Sequence, residues 1–189
     1  MPTAIKLKKS LCLNVNRKLL KNKIMKNSSK LILLLFVFIS FNCTAQRIND
    51  ASYINYYNSV VPTLNAMATT KTQFYGQNFS AFYSIILNNN LTIVSIGVGP
   101  KISNSRLNYE LTLQFASDTM IYYGIDKGYQ HPVIRITFAN AMPVEIKDML
   151  LQYKGFWNTT YQQFFSNMVI ESIAFGGTNG YNSPNRVPR

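Results

Sequence analysis

Seven carboxylates and a single histidine are the side chains that could move a proton in this sequence. Glycoside hydrolysis needs only two carboxyl groups held roughly 5–10 Å apart. Hydrolytic and transfer chemistry in general gathers its acid, base or nucleophile within reach of one substrate. Here the groups are scattered. Asp118 and Asp126 occupy turn contexts, Glu145 and Asp148 suit a helix start, and Glu110 alternates onto the polar side of a strand. Glu171 lies among Val169, Ile170 and Ile173, but alternation puts it on the face opposite Ile170, so an exposed or edge position is expected. His131 precedes Pro132 in a turn and is expected to be solvated, and one imidazole is too few for a His-based zinc site. The sequence holds no Gly-x-Ser-x-Gly, His-Glu-x-x-His or phosphate-cradling glycine loop. Gly176, Gly177 and Gly180 lack the lysine and following helix that such a loop requires. A non-enzymatic protein with no cofactor and no metal is therefore expected. The alternative is a cell-wall or glycan-processing enzyme with paired carboxylates, Glu110 and Glu171 being the residues to substitute.

Aromatic side chains are the more suggestive chemistry. All twelve tyrosines and the only tryptophan follow residue 45, among many asparagines and few charges. Tyr and Trp join a large apolar face to a hydrogen-bonding tip and favour recognition surfaces. Tyr53, Tyr57, Tyr153 and Trp157 fall on stripes expected to be buried, whereas Tyr75, Tyr129, Tyr181 and one of Tyr122 and Tyr123 are expected at the surface. Candidate binding residues are Tyr122, Tyr123 and Tyr129, with Glu110 and Arg135 pointing outward from the sheet. Those two charges could pair across adjoining strands, an interaction worth only about 0–1 kcal/mol when exposed.

The net charge of +12 suggests nucleic acid at first sight. Nine of the nineteen basic residues precede Ala45, and none of the seven acidic ones does. After Ala45 ten basic residues face those seven acids, leaving +3, and only Arg186 and Arg189 lie close together. No basic stripe can be drawn, so nucleic-acid binding is not expected.

The early charges flank an apolar run at residues 31–39, as in an export signal: Met25 to Lys30 a basic n-region, the run itself an h-region, and Cys43-Thr44-Ala45 small residues for cleavage before Gln46. Residues 1–24 then read as an extension before the true initiator Met25, and 25–45 as a signal peptide. The apolar run is shorter than the roughly 20 residues of a membrane span. Its ending, Cys43-Thr44-Ala45-Gln46, resembles the signals of secreted and periplasmic proteins of the Bacteroidetes. That resemblance implies a product exported to the periplasm or cell surface; acylation of Cys43, giving a lipid-anchored form, is the alternative. Asp118-Thr119-Met120 likewise resembles the O-glycosylation sequon of that group, which would make Thr119 the acceptor. A chain beginning at Gln46 retains neither Cys12 nor Cys43, so no disulfide or thiolate metal site is open to it.

Residues 46–177 are expected to form a single domain, followed by a flexible tail at 178–189. Helical spacing predicts a helix from about Asp50 to Met67, capped by Asn49 or Asp50 and kinked or split at Pro62. A short second helix is predicted from Phe79 to Leu87, ending at three asparagines. Period-two alternation then predicts strands around residues 91–98, 107–115, 120–125 and 133–138, joined by short turns. One long helix is predicted from Ile146 to Met168, weakened at Gly155, with a last strand at 169–175. Short connections imply an antiparallel meander, and one apolar helical layer must cover one apolar sheet face. The expected fold is α+β, a two-layer sandwich of four to five strands. Its expected function is to bind a macromolecular partner, a protein or less simply a glycan. An immunity protein that neutralises an exported toxin is the specific version, by analogy alone.

Overall fold

The computed structural model describes residues 48–103 and 105–189. The extension, the signal peptide, Cys43 and the cleavage residues Ala45 and Gln46 lie outside the described residues. Helix α1 (Asp50–Ala68) begins where the Asn49 side chain accepts from the Ser52 amide at 2.9 Å. It turns Tyr53, Tyr57, Val60, Val61, Leu64 and Met67 inward. Pro62 does not split it. Pro62 and Asn58, whose carbonyl loses its donor, are both exposed, so water can take the missing bond and the helix runs on. A 3-10 turn at Lys71–Phe74 leads to α2 (Phe79–Asn88), which stops at Asn90 in the left-handed region.

Four strands, β1 (Ser95–Gly99), β2 (Glu110–Gln114), β3 (Val133–Phe138) and β4 (Ile170–Gly176), pair antiparallel in the order β1-β2-β3-β4. The meander is the one alternation implies. Leu111 and Leu113 of β2 stand beside Ile134 and Ile136 of β3 and Ile173 and Phe175 of β4, all buried on the inward face. The helices cover this face, giving an α+β fold with one main apolar core and a smaller cluster of Tyr53, Tyr57 and Val61. Among the described residues no helix is long and apolar enough to cross a membrane.

Three expectations fail locally. Residues 120–125 are not a strand: α3 (Asp118–Asp126) occupies the segment. Aromatic and β-branched residues mimic a strand there, but the Ser117 side chain caps the Met120 amide, and Met120 and Tyr123, three apart, both pack against α1. The long helix is broken into α4 (Ile146–Tyr153) and α5 (Thr159–Phe165). Lys154 and Gly155 both take positive φ, and the chain then lies along β1: the Ile96 amide donates to the Gly155 carbonyl and the Trp157 amide to the Val94 carbonyl. A β-carbon at Gly155 would stand 3.0 Å from the Ile96 oxygen, so glycine is the residue that permits the break.

The third concerns residues 178–189, which are not a loose tail. This arm returns to the body, and Arg189 and Phe175 exchange two backbone hydrogen bonds at 2.9 Å along β4. Near its other end β4 is met by Gly76, which donates to the Ile170 carbonyl, and by Gln77, which accepts from the Ile170 amide. Both outer strands thus have part of their backbone covered, as sheet edges require.

Gly124 is buried in α3 beneath the fully buried ring of Tyr53, where a β-carbon would fall 2.5 Å from Cε2. In an open helix Gly→Ala is worth up to about 1 kcal/mol in favour of alanine. Here overpacking of about 1–3 kcal/mol opposes it, so Gly124→Ala is expected to lower the midpoint of denaturant unfolding rather than raise it.

Candidate functional site

The outward face of the sheet is open only in part: its row of Ser95, Gln114, Val133 and Gly176 is mostly buried, and the rows beyond it are half-buried apart from the exposed Arg135. Register places Gly97, Thr112, Arg135 and Ala174 in one row across the four strands, and Gly99, Glu110, Thr137 and Ser172 in the next. None of these residues belongs to either apolar cluster, and Arg135 is exposed among smaller neighbours. Glu110 and Arg135 both face outward as expected, but they are not opposed. Thr137 stands across from Glu110 and Thr112 across from Arg135, so the expected pair does not form. Strand register, not strand order, decides which charges meet.

The ion pair that does form among the described residues joins Lys101 to Glu171, with Nζ 2.5 and 2.6 Å from the two carboxylate oxygens. Glu171 is exposed, as alternation requires, and is the extra residue where β4 slips register against Thr137 and Phe138. Lys101 follows β1, at the other end of the strand order. Three strand spacings are roughly 14 Å. The Lys101–Glu171 bridge is thus a side-chain strap at the end of the sheet where β1 finishes and β4 begins, and Arg135 lies one row away.

The tyrosines assort differently from expectation. Tyr123 and Tyr129 are half-buried, and both donate to the Asp50 carboxylate, at 2.7 and 3.1 Å. The bond from Tyr123, then that from Tyr129, holds the Asp50 carboxyl below its ordinary range, and the same bond lifts Tyr123 to about 12. Tyr181 is also half-buried, edge-on to Tyr57 and Tyr129. These rings fasten α1, α3 and the arm together, leaving Tyr122, 65% exposed on α3, as the tyrosine of the candidate set free for a partner. Tyr122 and Tyr123 do part, through helical rotation rather than strand alternation. Thr119 is exposed in the first turn of α3, its hydroxyl 3.0 Å from that of Ser117.

Gln130 and His131 had no such role in the sequence reading. The Gln130 side chain is fully buried: Nε2 donates to the Ser183 and Asn185 carbonyls at 2.8 and 2.6 Å, and Oε1 accepts from the Asn179 amide. Its backbone carbonyl accepts from Tyr53 Oη at 2.6 Å, and its amide donates to the Tyr181 carbonyl. His131 is not solvated. Its ring stacks on Tyr56 at 6.3 Å, both ring nitrogens and Tyr56 Oη are buried without partners, and burial pushes the imidazole down to about 4. No sequence signal distinguishes this glutamine from any loop glutamine, because its partners lie some fifty residues away.

Comparison with known protein families, with characterised proteins and with solved structures finds no match. Among the described residues no group of three or more His, Cys, Asp or Glu is arranged to hold a metal ion.

Gln130→Leu keeps the volume but leaves the Asn179 amide and the Ser183 carbonyl without their partner, and the Asn185 carbonyl with only the bond from Asn179 Nδ2 at 3.3 Å. The variant is expected to lose about 1–3 kcal/mol in equilibrium unfolding, with residues 178–189 becoming the first site of proteolytic nicking.

Proposed function

We propose that this protein is a small, non-enzymatic, exported envelope protein that binds a protein partner through the outward face of its sheet. The observation that carries the reading is a four-stranded face outside both apolar clusters, with Arg135 exposed among small residues and a strap across one end. A planar guanidinium on a flat floor suits bidentate recognition of a partner carboxylate. The basic n-region and apolar run before Ala45 support export. Within this class an immunity protein that neutralises an exported toxin is the specific proposal, and a toxin gene directly upstream would favour it.

Charge reversal tests the surface. A partner captured from envelope extract should bind Arg135→Glu at least about thirtyfold more weakly, the scale of an interface hot spot, while the unfolding midpoint stays unchanged. Undiminished binding by that variant, and by Tyr122→Ala, would remove the sheet face and α3 from the interface.

A second reading has its own observation. Glu110 lies opposite Thr137, which lies opposite Ser172, so Glu110 and Glu171 sit on strands two spacings apart, roughly 10 Å. That is the outer limit for two carboxylates acting on one glycosidic bond. Loss of turnover on cell-wall glycan in both Glu110→Gln and Glu171→Gln, with the fold intact, would favour the enzyme. The mass of the mature N-terminus separates a chain beginning at Gln46 from one anchored through an acylated Cys43.

A further inference from the structure

The C-terminal arm, residues 177–189, starts against the main chain of a histidine whose ring nitrogens are buried without hydrogen-bond partners. Gly177, at φ +68°, presses its backbone against the His131 carbonyl so closely that a β-carbon would collide with it. Thr178, next along, is 3% exposed with its hydroxyl unpartnered. The Gly180 amide then donates to Tyr57 Oη at 2.8 Å, Gln130 clasps the Ser183 and Asn185 carbonyls, and Arg186 donates to the Gly128 and Tyr129 carbonyls. The arm is thus packed on the main chain of His131 and hydrogen-bonded to the three residues before it.

We infer that the arm is an acid-released latch, closed while His131 is neutral and opened when the ring takes up a proton. The groups facing the ring decide this. From α1 comes the Tyr56 ring, whose phenol burial pushes well above its usual range, with Tyr53 behind it. From the arm, the Gly177 backbone packs on the His131 main chain, and the buried Thr178 follows it in sequence. Desolvation is the one influence on the imidazole, and no charged side chain among the described residues acts on it. An imidazolium there would have no carboxylate to offset its burial. On this inference, opening the arm admits water beside His131 while β2 and β3 stay paired.

The sign follows from which state binds the proton. The closed form holds His131 at about 4 against an ordinary 6.5 when open, so closure is fully supported above pH 6.5 and is lost as pH falls toward 4. Between pH 7 and pH 4 the open-to-closed ratio should rise on the order of a hundredfold.

Amide hydrogen exchange of the full chain, corrected for intrinsic rates, reads this directly. At pH 4 the Gly180 and Arg189 amides should lose about a hundredfold in protection relative to pH 7, while Leu111, Leu113, Ile134 and Ile136 keep theirs. His131→Phe, which stacks but cannot charge, should hold the arm protected at both pH values, and His131→Gln serves if the phenylalanine fails to fold. An NMR titration of the His131 ring in the unmodified protein gives a further reading: its midpoint should coincide with loss of arm protection. The latch is overturned if arm protection does not change with pH, if it falls equally in the variants, if arm and sheet amides open together, or if the ring titrates near 6.5 with the arm still closed.

Discussion

A buried amide with four polar valences is what the rest of this fold must accommodate. Gln130 is the one fully buried polar residue among the described residues whose side chain would strand both donors and acceptors if left alone. Such groups are tolerated only when paired. Every partner of that side chain lies at or beyond Asn179, so the domain is not closed until its last residues come home. The Tyr53 hydroxyl on the Gln130 carbonyl and the Tyr57 hydroxyl on the Gly180 amide then bind the same junction to α1.

This junction accounts for five of the twelve tyrosines. Tyr53, Tyr57, Tyr123, Tyr129 and Tyr181 meet edge-on or tilted, and the hydroxyls of the first four are all engaged inside the chain. A composition that resembles a recognition surface is used here largely as a fastening. The proposed binding surface is therefore the sheet rather than the aromatic cluster, since Arg135, Thr112 and the strap belong to neither core.

How much of this was legible follows from the range over which each feature is determined. Alternation in Leu111 and Leu113 and in Ile134, Ile136 and Phe138 is a local pattern, and it gave strands, meander and inward face together. The first helix and its Asn49 cap are equally local. Residues 118–126 misled because Ile121, Tyr122 and Tyr123 favour strands intrinsically, and only packing of Met120 and Tyr123 on α1 reverses that preference. The break at Lys154 and Gly155 depends on β1 drawing Gly155 and Trp157 to its edge, an event about sixty residues distant in sequence. At the candidate site, the outward placement of Glu110, Arg135 and Glu171 was readable from period two. Their partners were not, since cross-strand register and a bulge at Glu171 decide them. His131 reads as a loop residue beside proline, and the arm that packs on its main chain reads as polar filler.

The seam between Arg189 and Phe175 also governs how the molecule behaves in the company of its own copies. While it is shut, the Phe175 amide and carbonyl are satisfied within one chain. Once it parts, β4 offers a bare backbone row beside Ile173 and Phe175, and an identical strand from a neighbour could dock there and repeat the arrangement. Arg189 thus blunts that part of the sheet edge, in the way that covered edge strands elsewhere are kept from pairing with a second chain.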